Sequence, residues 1–274
     1  MSNSSMPAPK IAGGPYVMGV LNVTPDSFSD GGSNDRAAAP RALAMLEAGA
    51  DIIDVGGEST GPAAAGGRRR GGGRGVVPVI AALRAATSAP ISIDTMKPVV
   101  AMLPWPPGAS IWNDVAALQA PGAIETAGSM QRPVILMHMQ GEPRTMQDEP
   151  RYDDVVAEVI AFLRSRAAAA KARGVGEIWV DPGIGFGKTL DHNLALLNNV
   201  ERIGAETGCP VVIGASRKRF IAAIDPRAKH AGKDRLGGSV AAALIAAQKG
   251  AAMVRVHDVA ETVQALKVWR ATLG

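Results

Sequence analysis

The sequence lacks the features that would mark several protein classes. It has one cysteine, Cys209, so no internal disulfide can form, and the chain suits a reducing compartment, with the cytoplasm as the expected location. Aromatic residues make up only 4% of it, too few to furnish stacking platforms for bases. No apolar run approaches the roughly 18 residues of a spanning helix. The opening MSNSSMPAPK has neither the apolar centre of a signal peptide nor the Arg-rich amphipathic pattern of a transit peptide.

Surplus charge is scarce too. The 29 Lys and Arg against 25 Asp and Glu leave +4, and Arg68, Arg69, Arg70 and Arg74 of a single run, GGRRRGGGRG (66–75), account for all of it. A broad phosphate-binding surface needs many cations on one face, so neither nucleic acid nor membrane is expected as a partner. The four histidines are scattered, with no HxH or HExxH, which argues against a zinc hydrolase centre.

What is present is a chain of 274 residues, 47% apolar, with enough material for one large core. Short β-branched or apolar runs alternate with longer Ala-, Leu- and Arg-rich segments, the pattern of repeated βα units. The runs are 16–23, 51–57, 91–95, 111–115, 133–139, 177–183, 210–216 and 253–259. Helical spacing between them includes Tyr152 to Arg173 and Leu190 to Thr207. Eight such units predict a single-domain (β/α)8 TIM barrel over 16–274, behind a flexible N-terminal extension, 1–15.

Active sites of such barrels lie at the C-terminal ends of the strands, and every run carries polar residues there. They are Asn22; Asp54 with Glu58 and Thr60; Asp94; Asn113 with Asp114; His138; Asp181; Ser216 with Lys218; and Arg255 with His257. Arg255 and His257 are two apart on a strand and share a face, an arrangement suited to phosphate, with Thr60 and Asn22 reaching the same mouth. A buried Arg255–Glu58 bridge is the alternative. Asp94, Asn113 and Asp181 offer the acceptors and the amide that could read a flat heterocycle rich in N–H donors. Asn22 and Asp30 supply oxygen ligands suited to magnesium on a diphosphate. DPGIGFGKT is not a phosphate loop, because GxxxxGK[ST] would place its first glycine at Pro182. Its glycines instead predict a sharp turn that lets Phe186 cover the pocket. Met137 and Met139 are either core or pocket lining.

The segments GVLNVTPDSFSDGG, GADIIDVGGEST, ISIDTMKP, WNDV, LMHMQGEPRTMQ, DPGIGFGK, GASRKR and VRVHDV, in this order, closely resemble the dihydropteroate synthase family from about Tyr16 to Leu273. The resemblance implies a barrel enzyme of folate biosynthesis, a homodimer and a target of sulfonamides. It would join 6-hydroxymethyl-7,8-dihydropterin diphosphate to p-aminobenzoate, releasing pyrophosphate with the help of magnesium. It further implies that Asp94, Asn113, Met137, Asp181, Lys218 and Arg255 bind the pterin, and that Asn22, Thr60, Arg255 and His257 hold the diphosphate. Asn22 and Asp30 match the magnesium positions. Phe28, Pro62, Phe186, Lys218 and the helix start at Arg219 match the p-aminobenzoate site; Arg219 stands where relatives often carry serine.

The chain departs from the family in two places. After EST the usual Arg-Pro-Gly and acidic helix are replaced by Gly61-Pro62 and the Arg/Gly run, and MLPWPPG (102–108) fills a segment expected to be helical. Three readings of the run stand: an RGG-like patch, a divergent surface loop, or paired reading-frame slips that restore length and downstream motifs. An impaired second loop would leave a relative that binds the pterin diphosphate without turning it over.

Overall fold

The computed structural model describes residues 6–23, 35–56, 73–102, 109–141, 145–230 and 232–274. Within them run eight strands: β1 (Tyr16–Asn22), β2 (Ile52–Gly56), β3 (Ile91–Asp94), β4 (Ala109–Asp114), β5 (Val134–Met137), β6 (Ile178–Asp181), β7 (Val212–Ile213) and β8 (Met253–Val256). Each falls inside or overlaps one of the eight runs read from the sequence. The helices between them are α1 (Asp35–Glu47), α2 (Gly73–Ala86), α3 (Pro98–Ala101), α4 (Ala123–Met130), α5 (Val155–Ala172), α6 (Leu190–Asn198), α7 (Val200–Thr207), α8 (Arg219–Ile224), α9 (Leu236–Gln248) and α10 (Val259–Ala271).

All strand pairs are parallel, in the order β6-β5-β4-β3-β2-β1-β8-β7. A bridge between Val180 and Val211 joins the two ends of this sheet and closes the barrel. Both faces of a parallel barrel sheet are covered, which is why the strands read as unbroken apolar runs. Outward residues such as Leu21, Val55, Leu136 and Val180 pack under the helices with Ile80 and Leu163. Inward, Met18, Ile52, Ile111, Ile135, Trp179, Val212 and Met253 form a separate apolar floor. Among the described residues no helix is long and apolar enough to cross a membrane.

Of the expected flexible extension 1–15, residues 6–15 are described; Met6 and Ile11 are buried, while Pro7, Ala8, Lys10, Ala12 and Gly13 are exposed. Met6 is buried in the floor cluster. The Tyr16 hydroxyl donates to the Pro7 carbonyl (2.8 Å), and the Asp51 carboxylate accepts the Lys10 and Val17 N–H groups, each at 2.8 Å. A few apolar residues in a short polar stretch leave no periodic signal, yet they suffice to seal the barrel base.

Two helical segments also differ from the sequence pattern. Tyr152 to Arg173 begins at Val155, because the Asp154 side chain caps the Val156 and Ala157 N–H groups. Leu190 to Thr207 divides at Asn199, whose side-chain amide donates to the Ala195 carbonyl (2.8 Å), a local bond that competes with helix continuation. After β3 the helix α3 covers only Pro98–Ala101, and residues 103–108 of the proline-rich segment lie outside the described residues. Of the Arg/Gly run, residues 73–75 open α2 and the rest lie outside.

Candidate active site

Moving two residues up four of the strands from the floor turns apolar into polar: Ile52 to Asp54, Ile111 to Asn113, Trp179 to Asp181, Met253 to Arg255. The period-2 alternation keeps these side chains on the inner face, so they converge at the C-terminal mouth. A pocket opens there, lined by Asp94, Asn113, Met137, Asp181, Phe186, Lys218 and Arg255 among others. Room for it comes from inward glycines. A Cβ on Gly214 would stand 3.5 Å from Asp181 Oδ2, and one on Gly56 would stand 3.7 Å from the Asp94 carboxylate.

An ion-pair network organises the mouth. Arg255 Nε donates to Asp54 Oδ2 (2.7 Å) and Arg255 Nη2 to Asp94 Oδ2 (2.9 Å), while Asn113 Nδ2 lies 3.4 Å from Asp54 Oδ2. The alternative bridge from Arg255 to Glu58 is therefore replaced by pairs with Asp54 and Asp94; Glu58 itself lies outside the described residues. Burial works against the Arg255 charge, but Asp54 and Asp94 outweigh it and raise its pKa. Asp94 Oδ1 is buried and has no hydrogen-bond partner among the described residues, an unused acceptor on a residue of the pocket wall. Burial, opposed by Arg255 and reinforced by Asp54, pushes the Asp94 carboxyl up to about 7. Asp181 is raised by burial as well, against the Gly183 N–H that donates to its Oδ1 at 2.7 Å.

The loop after β6 forms the roof. Gly183, Gly185 and Gly187 all have left-handed φ, from +61° to +81°, and a Cβ on Gly187 would come 2.5 Å from the Gln140 carbonyl. Only glycine tolerates both demands. The turn buries Phe186 at the pocket, as the glycine spacing predicted. Lys218 Nζ lies 3.8 Å from the centre of the Phe186 ring, a cation–π contact, and burial together with Arg255 pushes this ammonium down to about 7.

Seven of the residues singled out in the sequence thus meet around one cavity. Asn22 is exposed at the end of β1, its Oδ1 3.6 Å from the point a Gly56 Cβ would occupy. His257 stands one strand step beyond Arg255, its Nδ1 3.1 Å from Ser216 Oγ. Burial and then Arg255 lower its pKa to about 4, so at neutral pH it offers a neutral ring beside the Arg255 charge. Arg219 is exposed on the first turn of the six-residue α8 and is not among the pocket-lining residues. Phe28, Asp30, Thr60 and Pro62 lie outside the described residues.

The sequence reading did not give Asp54 a role at the site. It is fully buried and pairs with Arg255 across 201 positions of sequence, so only the closed barrel reveals it. Lys188 and His138, buried beneath the roof loop, were likewise given no role. The only signals were a lysine ending a glycine-rich motif and a histidine at a strand tip.

Residues 18–257 match the family of pterin binding enzymes. The chain belongs to that family. The dihydropteroate synthase of Escherichia coli (strain K12) is 46% identical to it over 264 residues, covering 95% of this chain and 92% of the relative. The Xanthomonas albilineans dihydropteroate synthase with 4-aminobenzoic acid has a TM-score of 0.84 at 45% identity, covering 98% of this chain and 99% of that one. The same enzyme in complex with 7,8-dihydropteroate gives 0.81 at 42% identity, covering 95% and 93%.

Proposed function

We infer that this chain is a dihydropteroate synthase, joining 6-hydroxymethyl-7,8-dihydropterin diphosphate to p-aminobenzoate with release of pyrophosphate. The observation that carries this reading is the buried Asp54–Arg255–Asp94 network with Asn113, Asp181 and Phe186 around one pocket, at the mouth of a barrel that a dihydropteroate synthase matches over 95% of its length.

In this reading Asp94, Asp181 and Asn113 accept from and donate to the pterin edge, with the unpartnered Asp94 Oδ1 taking one N–H. Arg255 stacks on the ring and, with Asn22, Thr60 and the neutral His257, holds the diphosphate. The bond from the pterin methylene to the diphosphate oxygen breaks, and its electron pair leaves with the diphosphate. The p-aminobenzoate nitrogen supplies the pair for the new C–N bond and then loses a proton to solvent. An aniline nitrogen is unprotonated at neutral pH, so no strong base is required, and positioning with electrostatic stabilisation carries the rate. Phe186 and Lys218 supply the described wall of the p-aminobenzoate site, with Phe28, Pro62 and Arg219 completing the proposed set. Sulfonamides, which mimic p-aminobenzoate, would bind there.

Magnesium fits the donor set. Asn22 presents an exposed amide oxygen at the rim, a donor of the oxygen type that magnesium takes. Asn22 and Asp30 would hold it, and when bound it would neutralise diphosphate charge. A homodimer and a cytoplasmic setting belong to the same proposal, the latter supported by the single cysteine.

The test is pyrophosphate release from the dihydropterin diphosphate with magnesium, with and without p-aminobenzoate, measured alongside dihydropteroate. Release coupled one-to-one to product is expected. Tight binding of the pterin substrate with no product would overturn the synthase reading and leave a binding protein altered in 61–75.

A further inference from the structure

Lys188 is almost completely buried, and no carboxylate among the described residues lies within ion-pair distance of it. Its Nζ donates to the Phe186 carbonyl (2.9 Å) and the His138 carbonyl (3.4 Å) and lies 3.1 Å from His138 Nδ1. An ammonium has three N–H groups, and these three acceptors match them, all uncharged. For Nδ1 to accept, His138 must be neutral. Burial and the Lys188 charge hold its pKa down at about 3, and its ring is wedged edge-on against Phe162, 5.0 Å between centroids. A buried cation among neutral acceptors is costly unless an opposite charge is near; burial pushes the Lys188 ammonium down to about 7, and Asp181 pulls the other way, favouring its charged form.

That opposite charge is Asp181. A Gly183 Cβ would collide with the His138 carbonyl and stand 3.4 Å from Lys188 Nζ. Lys188 therefore lies against Gly183, the residue whose N–H is bound to Asp181 Oδ1. The cation is behind the peptide, and the carboxylate lies on the pocket side.

We propose that Lys188 is a positioning residue of the pterin site, clipping the roof loop to the end of β5 through His138 and supplying the positive charge that backs Asp181. The proposal rests on the synthase reading given above. The clip fixes Phe186 through its own carbonyl, and the charge keeps Asp181 an acceptor for the pterin. The other groups facing Asp181 are the Gly183 N–H, Lys218 from the loop after β7 and Arg255 from β8. Lys218 and Arg255 also face Asp94, so they cannot set Asp181 apart from it, whereas Lys188 lies against Gly183, the residue bound to Asp181.

Lys188→Gln and Lys188→Met separate the two roles. Gln removes the charge but retains an amide donor for the carbonyls; Met removes both. The dissociation constant for 6-hydroxymethyl-7,8-dihydropterin diphosphate is measured from pH 5.5 to 9 in the full chain, with Asp181→Asn as a third background. Lys188→Gln should move the acid limb of binding upward by about one pH unit, the effect of losing one nearby opposite charge. Lys188→Met should add a roughly tenfold loss of affinity across the range, with folding checked by circular dichroism. In Asp181→Asn the Lys188→Gln substitution should move no limb. A folded Lys188→Gln with the wild-type pH profile, or the same shift with and without Asp181, would overturn the proposal; should Lys188→Met misfold, Lys188→Gln alone decides. Failure of the wild-type chain to bind this pterin would instead sink the synthase reading.

Discussion

The two ends of the barrel are built from the same strands and share almost no chemistry. At the floor Met18, Ile52, Ile111, Ile135, Trp179, Val212 and Met253 interdigitate with Met6 as a plug. At the mouth the residues two positions further along include Asp54, Asn113, Asp181 and Arg255, with Gly56 and Gly214 leaving space between them. The sheet itself is continuous between them. The contrast shows how a barrel separates duties: the floor stabilises the fold through buried area, so the mouth can hold charges, an unpartnered acceptor and empty space.

The largest expected break in this division is Arg255→Met, which leaves Asp54 and Asp94 buried without their cation. Dihydropteroate formation should fall by roughly 10²- to 10³-fold, the scale for losing one charge-stabilising group at a reacting centre. Urea unfolding should also show a loss of about 3–5 kcal/mol, as when one partner of a buried pair is removed. Activity within a few-fold of wild type would place the diphosphate elsewhere.

Trp179→Ala is the converse. Truncating this floor residue should cost about 3–5 kcal/mol in urea unfolding, while the KM for both substrates in the surviving folded enzyme stays unchanged. A changed KM would show that floor and mouth are coupled.

Gly214→Ala sharpens the contrast on a smaller scale. Its Cβ would make only ordinary contacts, 3.5 Å from Asp181 and 3.9 Å from Arg255, so unfolding should be little altered. It would occupy space meant for the ligand, and pterin affinity should fall roughly tenfold, the scale of one misplaced methyl group in a fitted pocket. Isothermal titration separates the two effects.

The smallest effect is a divergence with pH. Asp94 is pushed up to about 7 from an ordinary 3.8, so between these values the folded chain holds a proton that the unfolded chain has released. This contribution to stability declines as pH rises through that window. Pterin binding should run the other way, weakening as pH falls through about 7 because protonated Asp94, alongside Asp181, gives up an acceptor. Parallel urea and binding titrations of wild type and Asp94→Asn measure both slopes, and an Asp94→Asn profile identical to wild type in each would assign them to other groups.

The strands and most of the pocket were legible in the sequence because each depends on local pattern. A β-branched run of four to seven residues declares a strand, and a polar residue at its end declares the mouth. Partnership was not legible. Nothing in DIIDVGG marks Asp54 as the carboxylate that meets Arg255, and the Glu58 alternative was equally consistent until strand register fixed the depth of each side chain. His138 and Lys188 are 50 positions apart and meet only because the roof loop folds back over β5. The protonation state of His257 could not be read for the same reason, since burial and a neighbouring guanidinium are properties of the folded site. Met6 and Ile11 gave no periodicity to read.

The join between β6 and β7 has a mechanical consequence. Whereas the other neighbouring strands are laced by ladders, these two meet at the Val180–Val211 bridge, with the Val180 N–H donating to the Pro210 carbonyl at 3.0 Å. Asp181 lies on one side of that join and Gly214 on the other, both in the pocket wall. A pterin seated there spans the most lightly stitched edge of the cylinder and acts as a rivet across it. Amide hydrogens along this edge should exchange sooner than those of β1 and β2 in the free protein, and slow most when the ligand arrives.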